Sequence, residues 1–420
     1  MLENFKVDIQ EIDKVGSFSK KEKEFRIKNL NYFNKIGFPN KKLEDWKFSD
    51  LREIVSKNFN KLEFKNIKAE EKKIEFITEF EHNYIFLVNG SYESSDFKYE
   101  DKDKIKIEPF SNNNFFEILN NNPLINLNHA LSNKGYFLRV EDSYKLKKSI
   151  VIYNLYTSGL DESVINSRNM LQIGENSETH IIEITINKSK KNFFNNVYEN
   201  IILKNNAILK NIFIQENTSS GYFHKYSTNK LSTKSKYSAF IFPSGLKFNK
   251  LDMEFNLEGE FSECNLQAAS FIHENDHHEI KTKINHLSPN CKSYQKVKNV
   301  LNSDSKGVYQ GKIFVKDIAQ KTDAYQLSKA ILLNETSEFD SKPELEIYAD
   351  DVKCSHGSTS GNVDEDAIFY LMSRGLNRQE SVKLLVNGFL NDVIDSIKSN
   401  SLKNFVQSKL EKQLNANKKH

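Results

Sequence analysis

The sequence predicts a mainly β protein whose β-rich centre is flanked by helical regions at both ends. Near the N-terminus, apolar residues recur at helical spacing between Ser19 and Lys35. Between Ile105 and Val352 the pattern changes to short β-branched and aromatic runs, and helical spacing returns after Gly361. We therefore predict a helical and mixed N-terminal region over 1–104, a β core over 105–356 and a C-terminal helical domain over 357–420.

The N-terminal region predicts two helices and one strand. The first helix covers Ser19–Lys35 and ends before Gly37, since glycine is a common residue just past a helix C-terminus. A second helical piece is expected around Asp45–Asn58. A β-branched and aromatic run at Tyr84–Val88 predicts a strand, which the turn-forming pair Asn89-Gly90 ends.

The β core contains many short runs separated by brief polar breaks such as Asn205-Asn206. Its clearest predicted strands are Ser149–Tyr153, His180–Ile186, Tyr198–Leu203 and Ile208–Ile214. A β-sandwich, several barrels or a β-solenoid would each give such a pattern. No fixed repeat length is visible, so the residues alone do not choose between them.

The C-terminal domain predicts three helices. Asn362–Glu365 and Asn377–Glu380 both have the Asn-x-x-Glu form of a capping box, and Gly375 stands where a glycine often follows a helix. The apolar residues from Leu384 to Ile397 then recur at spacings of three and four. A third helix is expected at Leu402–Gln413.

Composition excludes several functional classes. The 420 residues carry a net charge of +3, too close to neutral for general nucleic-acid binding to be expected. A mean hydropathy of −0.62 and the lack of a long apolar run predict no membrane-spanning helix. Three widely spaced cysteines form no disulfide framework, and the first residues do not resemble a secretion signal. We expect a cytoplasmic protein.

Four histidines in one stretch, His273, His277, His278 and His286, raise the possibility of a metal site. His278 and His286 would share one face of a strand, whereas His277 would point the other way. A β-barrel non-haem metal oxygenase could use His277, His278 and His286, with Glu274 or Glu279 as the carboxylate ligand. Histidines stacked along a β wall are the favoured interpretation.

Cys354 and His356 form a second candidate metal site. On extended chain, residues at i and i+2 point to the same side, so thiol and imidazole would lie close together. An ordinary turn is the simpler interpretation of this pair. Elsewhere we find no GxxxxGK[ST] phosphate loop, and Gly307–Gly311 is expected to form a tight β turn.

Several ordered blocks in the C-terminal third resemble the SufB/SufD family of iron-sulfur cluster assembly proteins. These blocks are His286–Cys291, Gly311–Val315, Ala319–Ala324, Pro343–Val352, Cys354–Gly357 and Asp364–Gly375. The segment Leu43–Leu51 resembles a Trp-Lys-aromatic signature near the start of SufD proteins. The turn Cys354-Ser-His-Gly is similar to the SufD form, although Ser360 stands where an aliphatic residue is common.

The resemblance implies a right-handed parallel β-helix core and a non-enzymatic scaffold role. It implies a SufB-like partner at the C-terminal end of the β-helix, a SufC-like ATPase on the C-terminal helices and a possible homodimer in isolation. His356, with Cys354 beside it, would meet a transient iron-sulfur cluster or iron at the SufB contact; no cofactor would be bound by this chain alone. Arg374, Gly375, Leu385 and Phe389 would lie in the ATPase-docking region, where helix packing is an equally good explanation for Leu385 and Phe389.

A carbohydrate-acting β-helix is a further alternative from the enzyme class. Such an enzyme needs paired carboxylates in a groove. Its candidate residues are Glu344, Glu346, Asp350 and Asp351. Neither enzyme alternative is favoured over the scaffold.

Overall fold

The structure is a computed structural model, which describes residues 5–64, 72–110, 122–215 and 220–416. Helices flank or cover a long β structure. Within the described residues they are α1 (Gln10–Val15), α2 (Lys20–Ile36), a 3₁₀ turn (Glu44–Trp46), α3 (Leu51–Asn58), α4 (Pro123–Leu131), α5 (Glu365–Ser373), α6 (Arg378–Ile394) and α7 (Asn400–Ala416).

The strands form two parallel stacks that face each other. Stack A contains β4 (Lys134–Val140), β6 (Val164–Ile173), β8 (Phe194–Leu203), β10 (Tyr222–Leu231), β12 (Phe248–Leu257), β14 (His277–His286), β16 (Lys306–Val315) and β18 (Glu338–Ile347). Stack B contains β1 (Asn83–Val88), β5 (Ile150–Tyr156), β7 (Glu178–Asn187), β9 (Ile208–Gln215), β11 (Lys236–Phe242), β13 (Glu263–Ile272), β15 (Lys292–Leu301), β17 (Asp323–Leu332) and β19 (Lys353–Asn362). The chain alternates between the stacks, so each turn of this solenoid contributes one strand to each.

Two antiparallel strands close the N-terminal end of the solenoid. β2 (Ser91–Asp96) pairs with β1, the first strand of stack B. β3 (Ile105–Pro109) pairs with β4, the first strand of stack A. Both first strands therefore have their outward-facing backbone groups satisfied within the chain.

One corner of the solenoid is built from residues in the left-handed backbone region. Asn176, Asn206 and Lys234 have φ of 54°, 55° and 58°. Each amide donates to the next turn of the solenoid, as Asn206 N does to Thr233 O at 2.9 Å. Asparagine tolerates this conformation better than most residues, which explains the Asn205-Asn206 break seen in the sequence.

Alternate side chains of each strand point into the lumen, the space between the two stacks. In stack A, Leu203, Leu231 and Leu257 lie opposite one another in register and are fully buried. Burying such a side chain contributes about 1.5–3 kcal/mol. The lumen also holds Lys225, whose Nζ lies 2.8 Å from Glu183 Oε2 and 3.0 Å from Glu199 Oε1.

The helices cover the outer faces of the two stacks. The N-terminal helices lie against stack A, where Trp46 stacks on Phe248 at a centroid distance of 6.5 Å. The C-terminal helix α6 lies on stack B, where Val386 and Leu390 join a buried cluster with Phe271. Because the helices cover the outer faces, the central strands carry apolar residues on both of their faces.

The prediction of a parallel β-helix core flanked by helical regions is confirmed. Helices α2, α6 and α7 lie where the sequence predicted them, and Asn377 and Glu380 form the predicted capping box. The predicted boundary at 356 falls inside β19, and β1, from the predicted N-terminal region, already pairs with β5.

Two local predictions were wrong. Asp364, not Asn362, caps α5, because its carboxylate accepts a hydrogen bond from Ala367 N at 3.0 Å. Gly307–Gly311 does not form a turn; both glycines lie within strand β16.

Candidate functional site at the open end of the solenoid

The C-terminal end of the solenoid leaves two strand edges unpaired within the described part of the chain. β18 pairs only with β16, and β19 pairs only with β17. Each is ten residues long. Exposed edges of this length are templates for pairing with another chain, and most proteins cover or shorten them.

Along β19, the backbone N–H and C=O groups of successive residues point alternately to the neighbouring strand β17 and to the open edge. Lys353 N donates to Thr322 O at 2.8 Å, and Val363 N donates to Leu332 O at 3.1 Å. In a parallel sheet, the backbone groups of every second residue form hydrogen bonds to the same neighbouring strand. The backbone groups of the odd-numbered residues of β19 therefore point to β17. The N–H groups of even-numbered residues, including His356 and Ser360, therefore point to the open edge.

Cys354 and His356 lie on the same side of β19, as their spacing predicted. They are in register with the buried lumen residues Ala324 and Gln326 of β17, so this side faces the mouth of the lumen. His356 is exposed, and Cys354 is half-buried. Burial, reinforced by the charge of Asp323, raises the pKa of the Cys354 thiol, although a hydrogen bond from the Ala324 backbone opposes this. The thiol is thus protonated near neutral pH.

The helices after β19 expose a second candidate surface. Large apolar side chains of α5 and α6 face solvent there: Phe369 (74% exposed), Tyr370 (57%), Met372 (43%) and Leu384 (51%). Arg374 donates to Tyr370 OH at 3.2 Å, and Gly375 has a φ of 100° with nothing within 4 Å of an added Cβ. Two consecutive helices thus expose four large apolar side chains, the kind of residue found at protein contacts.

The predicted docking residues Leu385 and Phe389 differ in their surroundings. Leu385 is half-buried on α6. The Phe389 ring lies 4.4 Å from Lys298 Nζ, which also donates to the Phe389 carbonyl at 2.9 Å. Phe389 thus holds α6 on stack B, and Asp392 strengthens this attachment through ion pairs of 2.6 Å with Lys296 and Lys298.

The histidine stretch does not form the metal cage of the oxygenase alternative. His278 and His286 share a face of β14, but eight residues of strand separate them by about 26 Å. His277 Nε2 lies 3.0 Å from Ser49 Oγ, His278 Nε2 lies 3.1 Å from Leu246 O, and His286 Nε2 lies 2.9 Å from Ser293 Oγ. Within the described residues, no group of three potential ligands is placed to hold a metal ion. The core is also a solenoid and not a barrel.

Two of the four carboxylates of the carbohydrate alternative are engaged by lysines. Glu346 pairs with Lys312 at 2.5 Å, and Glu344 lies 3.3 Å from Lys342. Asp350 and Asp351 lie in the turn before β19. No observation favours this alternative.

Sequence reasoning missed a buried ionic network beneath the N-terminal region. Lys250 contacts the Glu279 carboxylate, donates to Asp45 O at 3.0 Å, and lies 3.4 Å from Asp252 Oδ1. Burial opposes the charge on Lys250, but the neighbouring carboxylates outweigh it and raise the pKa of its ammonium. Ser49 also contacts Glu279. The Trp46–Ser49 motif therefore fastens the N-terminal region to stack A.

The fold and its open end define a class of protein, a parallel β-helix flanked by helices with unpaired edges on its last two strands. A family model described as "SUF system FeS cluster assembly, SufBD core domain" matches residues 155–389. The chain is 26% identical over 400 residues to the iron-sulfur cluster assembly protein SufD of Escherichia coli (strain K12), covering 92% of each chain. It is 23% identical over 387 residues to an iron-sulfur cluster assembly SufBD family protein of Synechocystis sp., covering 87% of this chain and 85% of the relative.

Because the family model matches more than half of its length, the chain belongs to the SufBD family of the SUF system. Its similarity along nearly the whole chain to a SufD protein makes it SufD-like. These relationships support a role in iron-sulfur cluster assembly. Among the described residues, the helices are too short or too polar to cross a lipid bilayer.

Proposed function

We propose that this chain is a non-catalytic scaffold subunit of a cytoplasmic iron-sulfur cluster assembly complex. It pairs with a SufB-like subunit through the open edges of β18 and β19, and it docks a SufC-like ATPase on α5 and α6. The same open edges would allow a homodimer when the subunit is isolated. The observation that carries this proposal is the pair of unpaired edges beside an exposed His356.

His356 would contribute a neutral imidazole nitrogen to iron or to a nascent cluster at the seam between the two subunits. Imidazole is a good ligand for iron, and the exposed position on the last strand leaves the ring accessible from a partner. Cys354 would need to lose its proton before it could bind a metal, since thiolate is the ligand form. Its raised pKa makes it the weaker candidate of the two.

A movement of the ATPase would be transmitted through α6 to the interface between the two subunits. Asp392 ties this helix to Lys296 and Lys298 on β15, two strands before the open end of stack B. A displacement of α5 and α6 would therefore pull on a stiff stack whose last strand forms the interface. Rigid-body movement of this kind can open a contact without unfolding either subunit.

The test is cluster assembly by the complex with a His356→Ala subunit. We expect the complex to form normally, because the substitution removes no backbone hydrogen bond, and the cluster yield to fall roughly tenfold, as for other losses at metal sites. The matched control is His180→Ala on β7, which removes a surface imidazole far along the solenoid. Normal cluster yield from His356→Ala would remove His356 from the mechanism.

A further inference from the structure

The open edge of β18 has a gap at its centre, because Pro343 has no backbone N–H. Glu338 N donates to Ser305 O at 2.9 Å, and Tyr348 N donates to Val315 O at 2.9 Å. The N–H groups of the even-numbered residues of β18 therefore point to β16, and odd-numbered positions such as 343 face the open edge. The missing donor is thus a donor of the open edge.

The proline stands where it does not harm the fold of the chain itself. At position 342 or 344 it would remove a hydrogen bond to β16, whereas at 343 it removes none. The nearest donors on the open edge belong to Ser341 and Leu345, about 13 Å apart along the strand. The cost of Pro343 therefore falls on a chain that pairs with β18. The last strand of the other stack, β19, has the same length and contains no proline.

The gap counts differently for two kinds of partner. A two-fold dimer of this chain contains Pro343 twice, whether β18 of one copy meets β18 or β19 of the other. A dimer with a different chain contains this proline once. Each missing hydrogen bond corresponds to about a fivefold loss of affinity, so self-pairing is disfavoured about 25-fold and pairing with another chain about fivefold.

The side chains on one face of β18 add a preference of charge. Four carboxylates alternate along this face: Glu338, Asp340, Glu344 and Glu346. The single lysine of the strand, Lys342, contacts Glu44 and lies 3.3 Å from Glu344. Lys306 and Lys312 neutralise part of the charge from β16, on the side away from the open edge. Cross-strand pairs of opposite charge are favourable and pairs of like charge are not, so basic residues suit a strand placed beside β18.

We propose that the edge of β18 disfavours a second copy of this chain and fits a strand of a different chain that carries lysine or arginine opposite the carboxylates. Pro343 provides the discrimination against self-pairing, and the carboxylates provide the preference for a basic strand. The inference deepens the proposed function and rests on it for the identity of the partner. Its first half concerns this chain alone.

The first test restores the missing donor with Pro343→Ala. Dissociation constants are measured by sedimentation velocity for the homodimer of the full chain and for its complex with a SufB-like subunit. We expect the homodimer to become about 25-fold tighter and the complex about fivefold tighter, since two hydrogen bonds are gained in one and one in the other. The matched control is Pro289→Ala in the turn before β15, which also gains an N–H but lies away from the open edge. It should change neither constant.

The second test reverses one charge on the same edge. Glu344→Lys should weaken the complex with the SufB-like subunit by about fivefold at low salt, because a favourable cross-strand pair becomes a repulsive one. High salt should remove most of this difference. The control is Glu335→Lys, the same change of charge in the exposed turn before β18, which should bind as the unsubstituted chain does.

A homodimer that Pro343→Ala does not tighten, or tightens no more than the complex, would overturn the inference. Equal binding of the SufB-like subunit by Glu344→Lys and Glu335→Lys would also overturn it. If Pro343→Ala does not fold, Pro343→Val restores the same N–H with a residue that favours strands. Failure of the proposed function is a separate result: an unsubstituted chain that binds no SufB-like subunit refutes that pairing, while sedimentation of this chain alone still tests the role of Pro343.

Discussion

The two ends of the solenoid differ in how the edges of their terminal strands are paired. At the N-terminal end, the short antiparallel strands β2 and β3, of six and five residues, pair with the first strand of each stack. At the C-terminal end, β18 and β19 have no such partner within the described residues. A chain that caps one end and leaves the other open for two full strands has an end suited to a partner. Under the proposed pairing, this difference separates residues that hold the fold from residues that would contact another chain.

The largest expected effect is a loss of stability when the buried cation of stack A, beneath the N-terminal region, is removed. Lys250→Met should lower the free energy of unfolding by about 3–5 kcal/mol, because it leaves the buried carboxylates of Glu279 and Asp252 without their cation. Urea unfolding measures the loss. The control is Lys342→Met, which breaks a pair with the exposed Glu44 and should cost less than about 1 kcal/mol. Similar losses from the two variants would contradict the assignment of Lys250 to the fold.

A second effect is a loss of stability in acid that originates in the covered strands. Burial lowers the pKa values of His278 and His286 to about 4 each, below the ordinary value of 6.5. At pH values between 4 and 6.5, these two histidines are protonated in the unfolded chain but remain neutral in the folded chain. The free energy of unfolding therefore falls as pH decreases from 6.5 towards 4. At pH 5 the loss should be about 2 kcal/mol for each histidine.

The pH dependence is measured by urea unfolding at pH 7 and pH 5. Replacing His278 with a non-titrating residue should reduce the difference between the two pH values. A His278 variant that keeps the full difference between the two pH values would contradict the origin of the acid sensitivity in this buried histidine.

The smallest expected effect on stability comes from the helical surface. Phe369→Ala should change the free energy of unfolding by no more than about 0.5 kcal/mol, because this side chain is 74% exposed. It should nevertheless weaken the proposed binding of a SufC-like ATPase, as measured by co-purification. Leu390→Ala on the buried face of α6 serves as the contrast, since it should destabilise the protein by about 2–5 kcal/mol. Unimpaired ATPase binding by Phe369→Ala would remove this residue from the docking surface.

The strands could be predicted from the sequence better than their arrangement. Runs such as His180–Ile186 lie within the observed strands, yet no repeat was visible because its length varies. The first residues of β10 and β12, Tyr222 and Phe248, are 26 residues apart, whereas those of β16 and β18, Lys306 and Glu338, are 32 apart. Only the family resemblance identified a solenoid before the structure did.

The candidate site was predictable in part. The spacing of Cys354 and His356 gave their common side, but β19 lacks the aliphatic residues that usually mark a strand, so a turn was the simpler prediction. The burial of Lys250 could not be foreseen, because alternating lysine and acidic residues resemble an exposed strand. It is the distant Trp46 that covers this surface, with its ring 4.6 Å from Lys250 Nζ.

The most direct test of the open edge uses a proline where a backbone N–H points away from β17. Ser360 has such an N–H, whereas the N–H of Thr359 faces β17, so Ser360→Pro should preserve the fold and Thr359→Pro should not. Binding to the SufB-like subunit is measured by co-purification, with Ser360→Ala as the control that keeps the N–H. We predict that Ser360→Pro folds with a nearly unchanged melting temperature and loses the partner, while Ser360→Ala retains it. Full retention of the partner by a folded Ser360→Pro subunit would contradict pairing through the edge of β19.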